Sequence, residues 1–234
     1  MKDILYKSDD CDFNKALSLI DMSFSEEQLA EMLLSDNDVE KQIAVLSVEN
    51  LSSFDISEKL VKNLVGQDGK IREAVAFKIN EFSSDLESVK YLKSEYIYNI
   101  LFEGLMDIDG NVCRNIVTMQ NMDEFWQYIP EKLIQRTNET ILKIKELDAE
   151  HRQYVISKRN FQLYWCLEAL WNVLEYIDIE KCEEIFRVCA EFEDYTIREK
   201  VAKLLSKLND DKFSDIVEKL SNDENFYVRQ NIKI

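Results

Sequence analysis

The sequence is short of the residues that turn a chain sharply: 234 residues contain four glycines and one proline. Sheet-rich and doubly wound folds turn at every strand end and lean on Gly and Pro to do so. Gly66, Gly69, Gly104 and Gly110 are too few and too clustered for that purpose, so the chain is expected to be all-α. A single histidine, His151, excludes metal sites built on two or more histidines. No Gly-x-Gly-x-x-Gly and no Gly-Lys-Ser/Thr loop is present to cradle a nucleotide, and no Gly-x-Ser-x-Gly elbow accompanies the lone histidine. No segment approaches the roughly 18 consecutive apolar residues of a membrane span. The opening Met1-Lys2-Asp3-Ile4-Leu5 leads into charged residues rather than a signal-peptide apolar stretch.

Positive charge is also scarce. Forty-six acids stand against 29 bases, a net charge of −17. Nucleic-acid affinity draws on clustered Lys and Arg that release counterions from phosphates, and an acidic field opposes it. Residues 21–60 alone carry ten Asp/Glu and two Lys, a local net of −8 that could meet a basic partner, although a solvated surface is the plainer account. Residues 131–160 run the other way, with seven Lys/Arg and five Asp/Glu. Five cysteines (Cys11, Cys113, Cys166, Cys182 and Cys189) make an odd count without a Cys-x-x-Cys, which points to free thiols in a reducing cytoplasm. Cys182 and Cys189 share a helical face and read as small core residues rather than a metal or redox pair.

What is present is a repeated pattern: an apolar helix, an Asp/Asn-rich turn, an aliphatic residue often followed by Arg, then a second apolar helix. Its clearest copies are Asp68-Gly69-Lys70-Ile71-Arg72 and Asp194-Tyr195-Thr196-Ile197-Arg198; others lie at Asn37-Asp38-Val39, Asp109-Gly110-Asn111-Val112 and Asn225-Phe226-Tyr227-Val228-Arg229. From the anchors Val39, Ile71, Val112, Ile197 and Val228, a branched aliphatic residue follows four positions later: Ile43, Val75, Ile116, Val201 and Ile232. Ala44, Ala76, Val117 and Ala202 follow one position further on, small enough to admit a neighbouring helix. The Asp or Asn before each second helix is a ready N-cap. Anchor spacings of 32, 41, 85 and 31 residues leave room in the long gap for one unmarked unit, with a first helix near 131–147 opened by Pro130 and a second near 160–177.

The turn Asp, the aliphatic residue, the Arg and the paired small residues resemble the HEAT-repeat family, relatives of armadillo repeats. The resemblance covers about 24–234; Glu40 and Cys113 stand where Arg is expected, and Arg114 is shifted by one. It implies a right-handed α-solenoid (α-α superhelix) of about six HEAT-like helix pairs in one domain over 1–234. An N-terminal cap would occupy about 1–23, with repeats near 24–53, 55–84, 94–122, 124–177 with an insertion, 178–208 and 211–234. Stacked pairs bury faces that one pair cannot bury alone. By resemblance, Asp68, Arg72, Asp194, Arg198 and Arg229 form a structural ladder linking successive repeats.

The same resemblance implies a non-enzymatic protein-interaction scaffold whose second helices line a concave groove, with no cofactor and a protein partner. Contacts are expected from the basic insertion, namely Lys143, Lys145, His151, Arg152, Lys158 and Arg159, and from the second-helix residues Lys78, Arg114 and Lys200. Among the aromatic residues Phe125, Trp126, Tyr128, Phe161, Tyr164, Trp165, Trp171 and Tyr176, Tyr164 and Trp171 fall near one core-type face while Trp165 lies off it and is a candidate anchor. The last second helix begins near Phe226, leaving Ile232 and Ile234 without a following repeat: a truncated end, a frayed end or a self-association contact. Two alternatives come from other HEAT-like proteins, DNA glycosylases acting on alkylated bases and bilin lyases or chaperones. Paired acids such as Glu183-Glu184 and Asp210-Asp211 diverge on a helix and make no acid/base pair.

Overall fold

In the computed structural model, residues 10–19, 22–147 and 153–232 are described. They form fourteen α-helices and no strand among the described residues. The chain divides into two units, Met1–Gly104 with Asp109–Met122, and Leu105–Ile108 with Asp123–Ile234.

The first unit holds α1 (Asp10–Leu19), α2 (Glu26–Met32), α3 (Asp38–Ser47), α4 (Phe54–Lys62), α5 (Gly69–Ser84), α6 (Glu95–Gly104) and α7 (Gly110–Val117). Its helices pack in two rows, α2 on α4 on α6 and α3 on α5 on α7, with each row's members also touching their sequence neighbours. The second unit holds α8 (Asp123–Tyr128), α9 (Pro130–Lys145), α10 (Gln153–Val173), α11 (Glu183–Cys189), α12 (Tyr195–Leu208), α13 (Ser214–Ser221) and α14 (Phe226–Asn231). There α10 packs on α12 and α12 on α14, with α9 against α10 and with α11 and α13 against α12.

The repeated turn residues explain where five of these helices start. Asn37, Asp68, Asp109, Asp194 and Asn225 each sit in extended backbone as the N-cap of α3, α5, α7, α12 and α14, and each side chain accepts an amide N–H of the first turn. One such cap contributes about 1 kcal/mol. Immediately beyond the caps the apolar period takes over. Ile71, Val75, Ala76, Val112, Ile116, Ile197, Val201, Ala202 and Val228 are all buried, while Val39 at the start of α3 and Val117 are half-buried. The scarcity of glycine is met elsewhere: Asn209 ends α12 in the left-handed conformation at φ 48°, and Asn121 turns at φ 51° with its amide donating to the Ser83 carbonyl at 3.0 Å. Gly104 is needed for another reason. A Cβ there would sit 2.8 Å from Leu64 Cδ2, in the helical turn Asn63–Val65 that follows α4 and packs on α6.

The arginines after the anchors share one geometry. Arg72 donates to the Gly66 and Gln67 carbonyls at 3.0 Å each, Arg198 to the Phe192 and Glu193 carbonyls at 2.6 and 2.9 Å, and Arg229 to the Asp223 and Glu224 carbonyls at 2.5 and 2.8 Å. Each closes the turn that leads into its own helix by satisfying carbonyls left open there. Arg198 also reaches forward to Asp223, through Nε at 2.7 Å and Nη2 at 3.0 Å. Asp68 and Asp194, expected as rungs, act as caps. Asp194 additionally accepts the Asn160 amide of α10 at 3.4 Å.

Three expectations are corrected. The extra length after residue 123 is mostly helix: α9 and α10 run to 16 and 21 residues, and α10 starts at Gln153, not near 160. Pro130 does open α9. Ile232 is buried at 9% exposure, so it is no uncovered edge; Ile234 lies outside the described residues.

Candidate functional site

Polar side chains link neighbouring helices throughout the second unit, α10 to α12, α12 to α14 and α11 to α13, and those between α10 and α12 border a groove. On α10, Tyr164, Glu168 and Trp171 recur at i, i+4 and i+7; on α12, Lys200, Lys203, Leu204 and Lys207 recur at i, i+3, i+4 and i+7. Each set therefore occupies one helical face. Two rungs join the faces. Lys200 pairs with Glu168 and lies 4.4 Å over the Tyr164 ring. Seven residues further along both helices, Lys207 lies 4.8 Å over the Trp171 ring and donates to the Trp171 carbonyl at 2.9 Å. The matching seven-residue step on the two helices means that they run in the same direction.

Between α10, α12 and α14 a groove of about 440 Å³ opens, floored by Leu167 and Leu204 and edged by Trp171, Lys203, Lys207 and Asn231. Trp171 is 42% exposed, whereas Leu167 and Leu204 are at most 1% exposed. Lys203 is paired to Glu199 at 3.3 Å, and Glu199 also accepts the Asn231 amide at 3.4 Å. Ser206 ties α12 to α14 by donating to the Asn231 carbonyl at 2.6 Å.

The electrostatics divide the lysines by role. Burial pulls the Lys200 ammonium down, but Glu168 and the Tyr164 hydroxyl outweigh it, so its pKa stands above the usual lysine value. A buried ammonium survives only when paired in this way. Lys200 is therefore a fixed cation in the groove wall, and the accessible positive charge belongs to Lys203 and Lys207.

The expected contact residues are scattered. Lys200 is 4% exposed rather than solvent-facing, and Trp165 is 7% exposed, packed edge-on against Phe161 and Tyr164; both expectations of exposure are corrected. Trp165 is wrapped because α10 meets α8, α9 and α12, which leaves little of its circumference to solvent. The same packing turns Trp171, expected on a core face, outward. Lys78 is half-buried, paired with Glu81 at 3.1 Å and 5.4 Å over the Phe82 ring; Arg114 is exposed and donates to Asn111 at 3.4 Å. Lys143 and Lys145 are exposed in the last turn of α9, where cations complement the helix dipole. On α10, Lys158 is exposed and Arg159 donates to Gln162 at 2.8 Å. His151 and Arg152 lie outside the described residues. Lys203 and Lys207 are absent from the expected contacts, although their spacing from Lys200 is the signal that would have found them.

Cys113, Cys166, Cys182 and Cys189 are free and buried, and burial pushes the thiols of Cys166, Cys182 and Cys189 up to about 12. Among the described residues no cluster of His, Cys, Asp and Glu could hold a metal ion, and no helix is long and apolar enough to cross a membrane. Compared with known proteins, the chain matches no protein-family model, no curated protein and no solved structure.

Proposed function

We propose that the chain is a non-enzymatic protein-interaction scaffold of the HEAT-like α-solenoid kind, binding its partner on the second-helix face of the second unit. The observation that carries this reading is the groove of α10, α12 and α14, where an exposed Trp171 stands beside Lys207 over a buried leucine floor. Aromatic side chains rimmed by polar groups are common anchors of protein interfaces. The paired rows of helices, the recurring Asp/Asn caps and the recurring arginine closures support the HEAT-like assignment, since each is what a repeated helix pair requires.

A second reading draws on the same residues: a HEAT-like DNA glycosylase would use Trp171 to stack a base and the lysines to hold phosphates. The net charge of −17 weighs against it. Affinity capture of the intact protein from its own lysate, with and without nuclease, separates the two. Parallel baits carry either Lys203→Glu with Lys207→Glu, or serine at Lys143, Lys145, Lys158 and Arg159. A stoichiometric protein that survives nuclease and is lost from the first variant alone is the expected result. Material that vanishes with nuclease overturns the scaffold in favour of nucleic-acid binding. A partner lost only from the second variant moves the site to the ends of α9 and α10.

A further inference from the structure

We infer that the groove takes an acidic peptide segment of a partner protein, with one apolar side chain seated against Trp171 and a carboxylate on Lys207. The inference rests on the scaffold reading and gives its partner a chemistry.

Charge supplies the first reason. Lys200, Lys203 and Lys207 meet Glu168 in the groove lining, and counting the adjoining Glu199 still leaves three cations against two anions. That is a local excess of positive charge in a chain whose net charge is −17. The Lys200–Glu168 pair is satisfied within the wall, so it sets the geometry without competing for a ligand. Lys207 uses one N–H on the Trp171 carbonyl and turns its charge over the ring, leaving donors for an incoming carboxylate beside an apolar surface.

Size and composition supply the second. A volume of about 440 Å³ suits a few side chains rather than a domain face. Leu167 and Leu204 offer no polar group to a nucleobase edge, and the positive patch has no arginine fork for phosphate. A long polyanion would run from the groove into the acidic remainder of the chain, whereas a short acidic segment meets only the local field.

The test uses the full-length protein and four fluorescein-labelled probes: an Asp/Glu-rich peptide carrying Leu and Phe, its Asn/Gln and Lys-rich counterparts, and an oligothymidine of similar length. Anisotropy and tryptophan emission are read at about 0.05 M and about 0.5 M NaCl, where the screening length falls from well above to well below the groove's dimensions. The acidic peptide should bind, at least tenfold more tightly than its neutral counterpart, and weaken at the higher salt. Trp171→Ala and the pair Lys203→Gln with Lys207→Gln should each weaken it about tenfold, while circular dichroism melts confirm folding. The pair Lys203→Glu with Lys207→Glu should reverse the preference towards a Lys-rich peptide. Equal binding of acidic and neutral peptides, or indifference to all three variants, overturns the inference. Tighter binding of oligothymidine overturns it in favour of a phosphate ligand. A nuclease-resistant lysate partner retained by the charge-reversed bait leaves the scaffold standing and removes the acidic peptide from this groove.

Discussion

The two units connect parallel neighbouring helices by the same step with different chemistry. In the first unit, α5 and α7 are joined where Asn111 donates to Glu73 at 2.8 Å and, seven residues on along both helices, where Asn80 donates to Thr118 at 3.1 Å. In the second, α10 and α12 are joined by Lys200 on Glu168 and Tyr164, then seven residues on by Lys207 on Trp171. These rungs are amides held by a carboxylate and a hydroxyl, and no lysine takes part in them. Of the two lysine rungs, Lys200 is satisfied within the wall, whereas the exposed Lys207 joins the helices with part of its hydrogen-bonding capacity and faces the groove with the rest. A cavity of about 480 Å³ in the first unit is edged by Glu26, Glu49, Ser23 and Ser52 with no basic side chain, while the α10–α12–α14 groove of the second unit is edged by lysine. Under the proposed reading, a rung that is structural in one unit doubles as a binding group in the other.

The contrast can be broken most forcefully at Arg198. Its side chain and that of Asp223 are 10% and 8% exposed, and Arg198→Leu leaves the carboxylate without its guanidinium. The second unit should lose about 3 kcal/mol, read by urea unfolding and by faster amide exchange in α12–α14. Gly104→Val forces side-chain atoms into Leu64 and should cost the first unit about 2 kcal/mol, with exchange rising in α4 and α6. Asn80→Ala should cost only about 1 kcal/mol; a loss as large as that of Arg198→Leu would erase the distinction between amide and charged links.

The smallest effect is one of acidity. Burial raises the Asp223 carboxyl, but the Arg198 guanidinium and the Asn225 amide outweigh it and hold its pKa below the usual value. A depressed carboxyl stabilises the folded state above its unfolded pKa, so this contribution should fade as pH drops below about 4. Lys200, raised above the usual lysine value, behaves oppositely, its contribution persisting until pH climbs past about 10.5. Protection in α12–α14, measured relative to intrinsic exchange at each pH, should therefore fall on acidification before that in α5 and α7.

Local chemistry was the legible part of the sequence. Asp and Asn caps announce helix starts because their side chains bond amides two or three residues away, and all five marked turns behave so. Ser25-x-x-Gln28 forms a full capping box at α2, a start signal just as local but lying outside the repeated turn pattern. The groove was harder to foresee. Apolar residues occupy most of the circumference of α10, so helical period alone does not say that Trp165 faces inward and Trp171 outward. That choice is made by α8, α9 and α12, whose positions depend on long-range packing.

The buried thiols give the molecule a built-in clock. Cys113 belongs to the first unit and Cys166, Cys182 and Cys189 to the second, each at 0% exposure. An alkylating reagent can reach these buried sulfurs only while the surrounding helices are open. In a Cys11→Ser background, one slow modification would time the breathing of the first unit and three would time the second. Mass spectrometry could then follow each unit's lifetime from the rate at which its cysteines gain the alkyl group.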